Sequence, residues 1–170
     1  MNDALEVGRG VSALWLRAAV GLLGAAITAD LVLAGAPAPV YGIAAVLALL
    51  CPLLPASPVP LVLIVLAASS AALSAPEPFS AAVLVLVPLA HALHLACGFA
   101  AVLPAGARVS PAAFRAPLRR AAAIQLAVGL MAVGASFLPA GRTAPGVEFV
   151  ALLSSAAMAL AVILLERSRS

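Results

Sequence analysis

The stretch FSAAVLVLVPLAHALHLACGFAAVL, residues 79–103, contains no Asp, Glu, Lys or Arg. Because an α-helix rises about 1.5 Å per residue, a bilayer core about 30 Å thick requires roughly 20 apolar residues, and this stretch is long enough. The whole chain has the same character, since 65% of its 170 residues are hydrophobic and only 9% are charged. Soluble domains average about 45 to 50% apolar and about 25% charged residues. We therefore predict an all-α, polytopic transmembrane bundle.

Further apolar segments lie on both sides of this stretch, and turns rich in proline and glycine separate them. We predict six helical spans within a single transmembrane domain, residues 1–170, at residues 12–35, 40–54, 60–75, 79–103, 118–138 and 146–165. The chain contains 14 prolines, of which only Pro52 and Pro88 fall inside predicted spans. The other prolines mark boundaries, where a helix tolerates them.

The arginines predict the orientation of the chain, because short cytoplasmic loops are enriched in basic residues. With six spans and a cytoplasmic N-terminus, every arginine except Arg142 falls on the cytoplasmic side, and so does the C-terminus. If the second and third spans formed one helix, the chain would have five spans, and Arg17 and the basic loop, residues 104–117, would lie on opposite sides of the membrane. We therefore disfavour five spans. We predict a multi-pass protein with both ends in the cytoplasm.

Two alternatives stay open. The second and third predicted spans are short and contain several prolines, so they either cross the bilayer fully or form a re-entrant hairpin. The small residues 34–36 resemble a signal-peptide cleavage site. We favour an uncleaved first helix, because the apolar run of residues 18–35 exceeds the usual signal core of about 7 to 15 residues and Asp30 interrupts it.

The charges and composition limit the partners of the chain. The absence of lysine and the abundance of alanine are typical of a GC-rich genome, and we expect a bacterial cytoplasmic membrane. The basic loop contains Arg108 and Arg115, followed by Arg119 and Arg120 at the start of the fifth span, and we predict that these four contact lipid headgroups or a partner protein. Since most arginines flank apolar spans, nucleic acid is not expected as a partner.

Polar side chains recur within the fourth span. His91, His94 and Cys97 follow Pro88 at intervals of three residues, which places them on one broad helical face. Pro88 has no amide hydrogen to donate to the preceding turn, so we expect a kink beside this polar stripe. The stripe is a candidate metal site, a haem ligand, or a pair for proton transfer or quinone contact. The alternative is that both histidines form hydrogen bonds to neighbouring helices.

Geometry limits the cofactor interpretations, and we expect no cofactor. His91 and Cys97 lie about 9 Å apart along the helix axis, which is too far for one zinc ion, and Asp30 lies about 12 Å from His91 in depth. A haem would need a homodimer or a methionine ligand, since no histidine lies outside the fourth span. We expect Asp30 to bond to a neighbouring helix, pair with Arg142 or line a polar vestibule.

The sequence contains no phosphate-binding glycine loop, nucleophile elbow, CxxC pair or HExxH motif, and its predicted loops are short. We therefore expect a non-enzymatic accessory or structural subunit that packs against itself or a larger membrane partner. One alternative is a small transporter or proton-conducting component that uses His91 and His94. A second alternative is a haem- or quinone-binding redox membrane protein.

Overall fold

The computed structural model describes residues 11–74, 80–104 and 106–136. The elements in these ranges are β1 (Val11–Ser12), α1 (Ala13–Leu33), α2 (Ala38–Leu50), α3 (Val59–Ser74), α4 (Ala81–Val102), β2 (Arg108–Val109) and α5 (Pro111–Ser136). The predicted helical fold class is confirmed for these residues. Helices α1, α4 and α5 are long and apolar enough to cross a membrane, whereas α2 and α3 are apolar but shorter. The sixth predicted span, residues 146–165, lies outside the described residues.

Helix α1 lies at the centre of the bundle and packs against α2, α3 and α4. Its buried residues Val20, Gly24, Ile27 and Leu31 follow one another at intervals of three or four residues, so they form one stripe along the helix. The Ser12 side chain caps the helix by accepting a hydrogen bond from the Leu14 amide at 3.3 Å. Gly35, with a φ of 77°, adopts the left-handed conformation that lets the chain turn into α2.

Helices α1 and α2 approach each other closely at Gly24. A Cβ atom built on Gly24 would lie 2.9 Å from the Ala48 Cβ and 3.1 Å from the Ala48 Cα. Two helices can come this close only where a side chain is missing, and small residues provide such sites in membrane bundles. Gly24 therefore sets the distance between α1 and α2.

The α2–α3 hairpin runs alongside most of α1. Helix α2 ends at Leu50, so Pro52 lies in the turn between the two helices rather than inside a helix as predicted. The Arg17 Nη1 donates a hydrogen bond of 2.9 Å to the Pro52 carbonyl oxygen. A Cβ atom built on Gly21 would lie 3.8 Å from the Pro52 Cγ, so the turn lies at the level of Gly21, about 12 Å along α1 from its first residue.

Helix α5 begins at Pro111, seven residues before the predicted span. Ser110 caps it by accepting a hydrogen bond from the Ala112 amide at 3.3 Å, and proline is favourable in the first turn of a helix. The preceding strand β2 pairs antiparallel with β1, and Ser12 lies opposite Arg108. The chain before α5 is therefore attached to the beginning of α1.

Candidate functional site

The polar stripe of α4 faces three different surroundings. His91 is half-buried at the edge of a groove, His94 is exposed, and Cys97 is only 4% exposed in the core that also contains Cys51. Two steps of three residues spread these three side chains over about 120° of the helix circumference. The structure therefore does not bring His91, His94 and Cys97 into one site. Among the described residues, no three His, Cys, Asp or Glu side chains form a group that could hold a metal ion.

An apolar groove of about 700 Å³ lies between α1, α4 and α5 and is open on one side. Its lining is apolar except for Ser12, His91 and Gln125. Phe99 of α4 and Phe114 of α5 meet edge to face in its wall, with ring centroids 5.3 Å apart and an interplanar angle of 87°. This aromatic contact joins α5 to the bundle, because edge-to-face pairs are a favoured arrangement of aromatic rings. We call this cavity the inner groove.

The inner groove has a mouth and a deep end. Ser12 and Pro111 line the end of the groove where α1 and α5 begin, and we call this end the mouth. Measured from the contact between Phe99 and Phe114, the side chain of His91 lies about 12 Å and that of Gln125 about 17 Å further along their helices. The two polar side chains therefore lie towards the deep end.

The arginines near the mouth differ in their position around α5. Its groove-lining residues, including Phe114 and Leu118, define one face. At about 100° per residue, Arg115 lies about 70° from the centre of that face, Arg119 about 110° and Arg120 about 150°. All three are exposed, as is Arg108 on β2. Arg115 is the helical arginine nearest to the groove, and Arg120 lies on the opposite face.

Asp30 lines a second, smaller cavity of about 150 Å³ between α1, α3 and α4, which has room for a few water molecules. The hydroxyl-bearing residues Ser70, Ser74 and Ser80 line the same cavity. Ser80 caps α4, so the beginning of α4 and Asp30 lie at the same cavity. Bonding of Asp30 to a neighbouring helix and its place in a polar vestibule stay predictions, and the structure shows only that Asp30 lies at this cavity. The predicted pairing with Arg142 lies outside the described residues.

Sequence reasoning missed the role of Arg17. The guanidinium of Arg17, one turn inside α1, donates a hydrogen bond to the Pro52 carbonyl oxygen, a contact that no pattern in the sequence indicated. The Arg17 Nε is buried and has no hydrogen-bond partner in the structure as described. The proline-rich break between α2 and α3 was visible in the sequence, but its depth relative to Arg17 was not.

The groove and the Asp30 cavity lie at opposite ends of α1, and each offers a different chemistry. The groove offers hydrocarbon contacts beside basic residues, and the Asp30 cavity offers oxygen ligands and hydrogen-bond partners. We found no family model, no curated protein and no solved structure that is significantly similar to this chain.

Proposed function

We propose that this chain is a multi-pass protein of the bacterial cytoplasmic membrane that acts as a non-enzymatic accessory subunit of a larger membrane assembly. The exposed apolar side chains support the membrane location. Large apolar residues project outward from successive helices, with exposed fractions of 72% for Leu22, 72% for Leu49 and 88% for Leu73. Lipid accommodates such surfaces, whereas a monomeric soluble protein rarely exposes a large contiguous apolar patch.

The positions of the charged residues support an orientation with the start of α1 in the cytoplasm. Arg17, Arg108 and Arg115 lie near the end of the bundle where α1 and α5 begin and α4 ends. Asp30 lies near the other end, beside the beginning of α4. Basic residues accumulate on the cytoplasmic side of membrane proteins, so the mouth of the inner groove faces the cytoplasm. The α2–α3 hairpin then starts outside, and its turn lies about 12 Å from the beginning of α1.

The proposal of an accessory role rests on the exposure and composition of helix α5. None of its described side chains, residues 111–134, is buried, and among the described helices it packs mainly against α4. It is also the least apolar of the three membrane-length helices and contains Arg115, Arg119 and Arg120. A helix of this composition is better covered by protein than by lipid tails, because protein can satisfy polar groups that hydrocarbon cannot.

The face of α5 opposite the inner groove is suited to contact another transmembrane helix. Ala123, Ala127 and Met131 lie on this face at helical spacing. Alanines let a second backbone approach closely, and methionine adapts its shape to a partner. Met131 is 75% exposed. We call this surface the outer face of α5 and assign it to a second copy of the chain or to a larger membrane protein.

Site-specific photo-crosslinking in native membranes tests this assignment. A benzophenone side chain at position Met131 is expected to form an adduct with one defined polypeptide, which mass spectrometry identifies. Leu22 on α1, 72% exposed, is the matched control and is expected to react only with lipid. The same polypeptide should copurify with the unmodified chain at a fixed ratio, and Ala127→Trp should abolish that copurification.

Three results would contradict the accessory role. Equal adducts from Met131 and Leu22 would show that the outer face of α5 is ordinary lipid-facing surface. An adduct confined to residues 137–170 of the same chain would show that this surface is covered internally. Copurification that survives Ala127→Trp would place the partner elsewhere.

A further inference from the structure

We propose that the inner groove binds one anionic phospholipid of the cytoplasmic leaflet, with an acyl chain in the groove and the phosphate at Arg115 and Arg108. This inference rests on the membrane location and orientation of the proposed function. It does not depend on the accessory role, because the outer face of α5 and the inner groove are different surfaces.

The length of the groove matches the depth of one leaflet. His91 lies 11 residues from the last residue of α4, Val102, which corresponds to about 16 Å along the helix. Half of a hydrocarbon core about 30 Å thick is about 15 Å. A chain that enters at the mouth therefore reaches the bilayer midplane at His91. The volume of about 700 Å³ also falls in the usual range of ligand pockets, about 300 to 1,000 Å³.

The walls of the groove suit a hydrocarbon chain. Between the mouth and His91, the lining side chains are those of apolar residues such as Leu16, Leu95, Phe99 and Phe114. An acyl chain gains dispersion contacts with these side chains. Because the groove is open on one side, a lipid can enter laterally from the leaflet.

Charge selects an anionic lipid rather than a neutral ligand. Asp30 is the only acidic residue in the ranges that the structure describes, and it lies at the far end of the bundle. Arg108 and Arg115 therefore have no described carboxylate near the mouth to neutralise them. A neutral ring compound such as a quinone could bond to His91 and Gln125 at the deep end, but it would leave the two arginines without an anion. A phospholipid phosphate satisfies the arginines while its chain fills the apolar walls.

Native mass spectrometry of the detergent-purified full chain tests the proposal with phosphatidylglycerol as the probe and phosphatidylcholine of identical acyl chains as the neutral comparison. We expect one phosphatidylglycerol per chain and little phosphatidylcholine. Arg115→Gln should weaken retention about fivefold, the order of magnitude expected for one arginine near an anionic lipid. Arg120→Gln removes the same charge from the opposite face of α5 and should leave retention unchanged.

Filling the groove gives an independent test. Ala96→Trp and Ala121→Trp place bulky side chains in the groove wall and should each abolish phosphatidylglycerol retention, while circular dichroism verifies that the helices are intact. Loss of retention in neither variant would show that the lipid binds elsewhere. Equal retention of both lipids, or equal weakening by Arg115→Gln and Arg120→Gln, would overturn the role of the mouth arginines. A copurifying quinone displaced by Ala121→Trp would overturn the choice of ligand.

These failures are distinguishable from failure of the proposed function. A chain that needs detergent but retains no phosphatidylglycerol would contradict the lipid-binding proposal and leave the membrane location unaffected. A chain that stays soluble and folded without detergent would sink both. The crosslinking test at Met131 concerns the outer face of α5 and is unaffected by either lipid result.

Discussion

Replacing Gly24 with alanine should push α1 and α2 apart. The new Cβ would lie 2.9 Å from the Ala48 Cβ and 3.1 Å from the Ala48 Cα. Atoms in ordinary van der Waals contact are 3.4 to 4 Å apart, so the Cβ–Cβ distance would be at least 0.5 Å too short. Because one of the opposing atoms belongs to the backbone, side-chain rotation cannot relieve the overlap. Overpacking of this kind costs about 1 to 3 kcal/mol in the free energy of unfolding.

The measurement must separate this cost from helix propensity, because alanine is favoured over glycine in a helix by about 0.8 to 1 kcal/mol. Gly98 on α4 provides the matched control, since a Cβ there meets no atom within 4 Å. Unfolding in mixed micelles with increasing SDS, followed by circular dichroism, gives the free energy for each variant. We expect Gly24→Ala to be less stable than Gly98→Ala by about 1 to 3 kcal/mol.

A double-mutant cycle with Ala48→Gly identifies the partner of the overlap. Ala48→Gly removes the nearest atom, so it should be less harmful in the Gly24→Ala background than in the wild type, with a coupling of at least about 0.5 kcal/mol. Equal stabilities for Gly24→Ala and Gly98→Ala would refute the close approach of α1 and α2. Independent effects of Gly24→Ala and Ala48→Gly would refute the assignment of Ala48 as the neighbour.

Three further outcomes are expected in detergent solution. Arg17→Met should lower the free energy of unfolding by about 1.5 to 3 kcal/mol, because it removes a charged donor from the Pro52 carbonyl; an unchanged SDS midpoint would contradict this role. Cys51 and Cys97 are free and buried, so they should react with N-ethylmaleimide about 100-fold more slowly in the native chain than after SDS unfolding. That factor corresponds to a free energy of local opening of about 2.8 kcal/mol. Fast labelling of both cysteines in the native chain would show that this core is open. Asp30→Asn should change the free energy of unfolding in SDS by less than about 1 kcal/mol, because asparagine keeps the shape and polarity of the cavity lining. A loss of about 3 kcal/mol or more would instead indicate that Asp30 belongs to a buried ion pair.

The ends of three helices, α1, α3 and α4, could be predicted closely from the sequence. The span predicted at 79–103 is observed as Ala81–Val102, and that at 60–75 is observed as Val59–Ser74. Both predictions rest on local features, the length of an apolar run and the prolines or caps beside it. The start of α5 differed because the prediction followed hydropathy, whereas arginine is a good helix former and lets the helix extend beyond its apolar part.

The site could be predicted less well, because its parts come together only in the packed bundle. The spacing of His91, His94 and Cys97 predicted a shared face, but a face about 120° wide on a helix with several neighbours meets more than one environment. Which neighbour each side chain meets depends on the positions of α1 and α5. The same reason hid the link between Arg17 and Pro52.

The arrangement of polar groups bears on the choice between an accessory subunit and a proton-conducting component. Conduction needs a chain of polar side chains or water that continues from one side of the membrane to the other. Among the described residues, Asp30 of α1 is the titratable side chain at the smaller cavity and His91 of α4 is the one at the inner groove. The two side chains lie at different depths in the bundle, and a packed layer separates these depths. That layer contains Ile27 of α1, which is fully buried and leaves no space for water around its side chain. His94 is exposed and lies further from Asp30 along α4 than His91 does, so the histidine pair does not bridge this layer. The described helices therefore favour a protein that holds lipid and protein at its surfaces over one that moves protons through its interior.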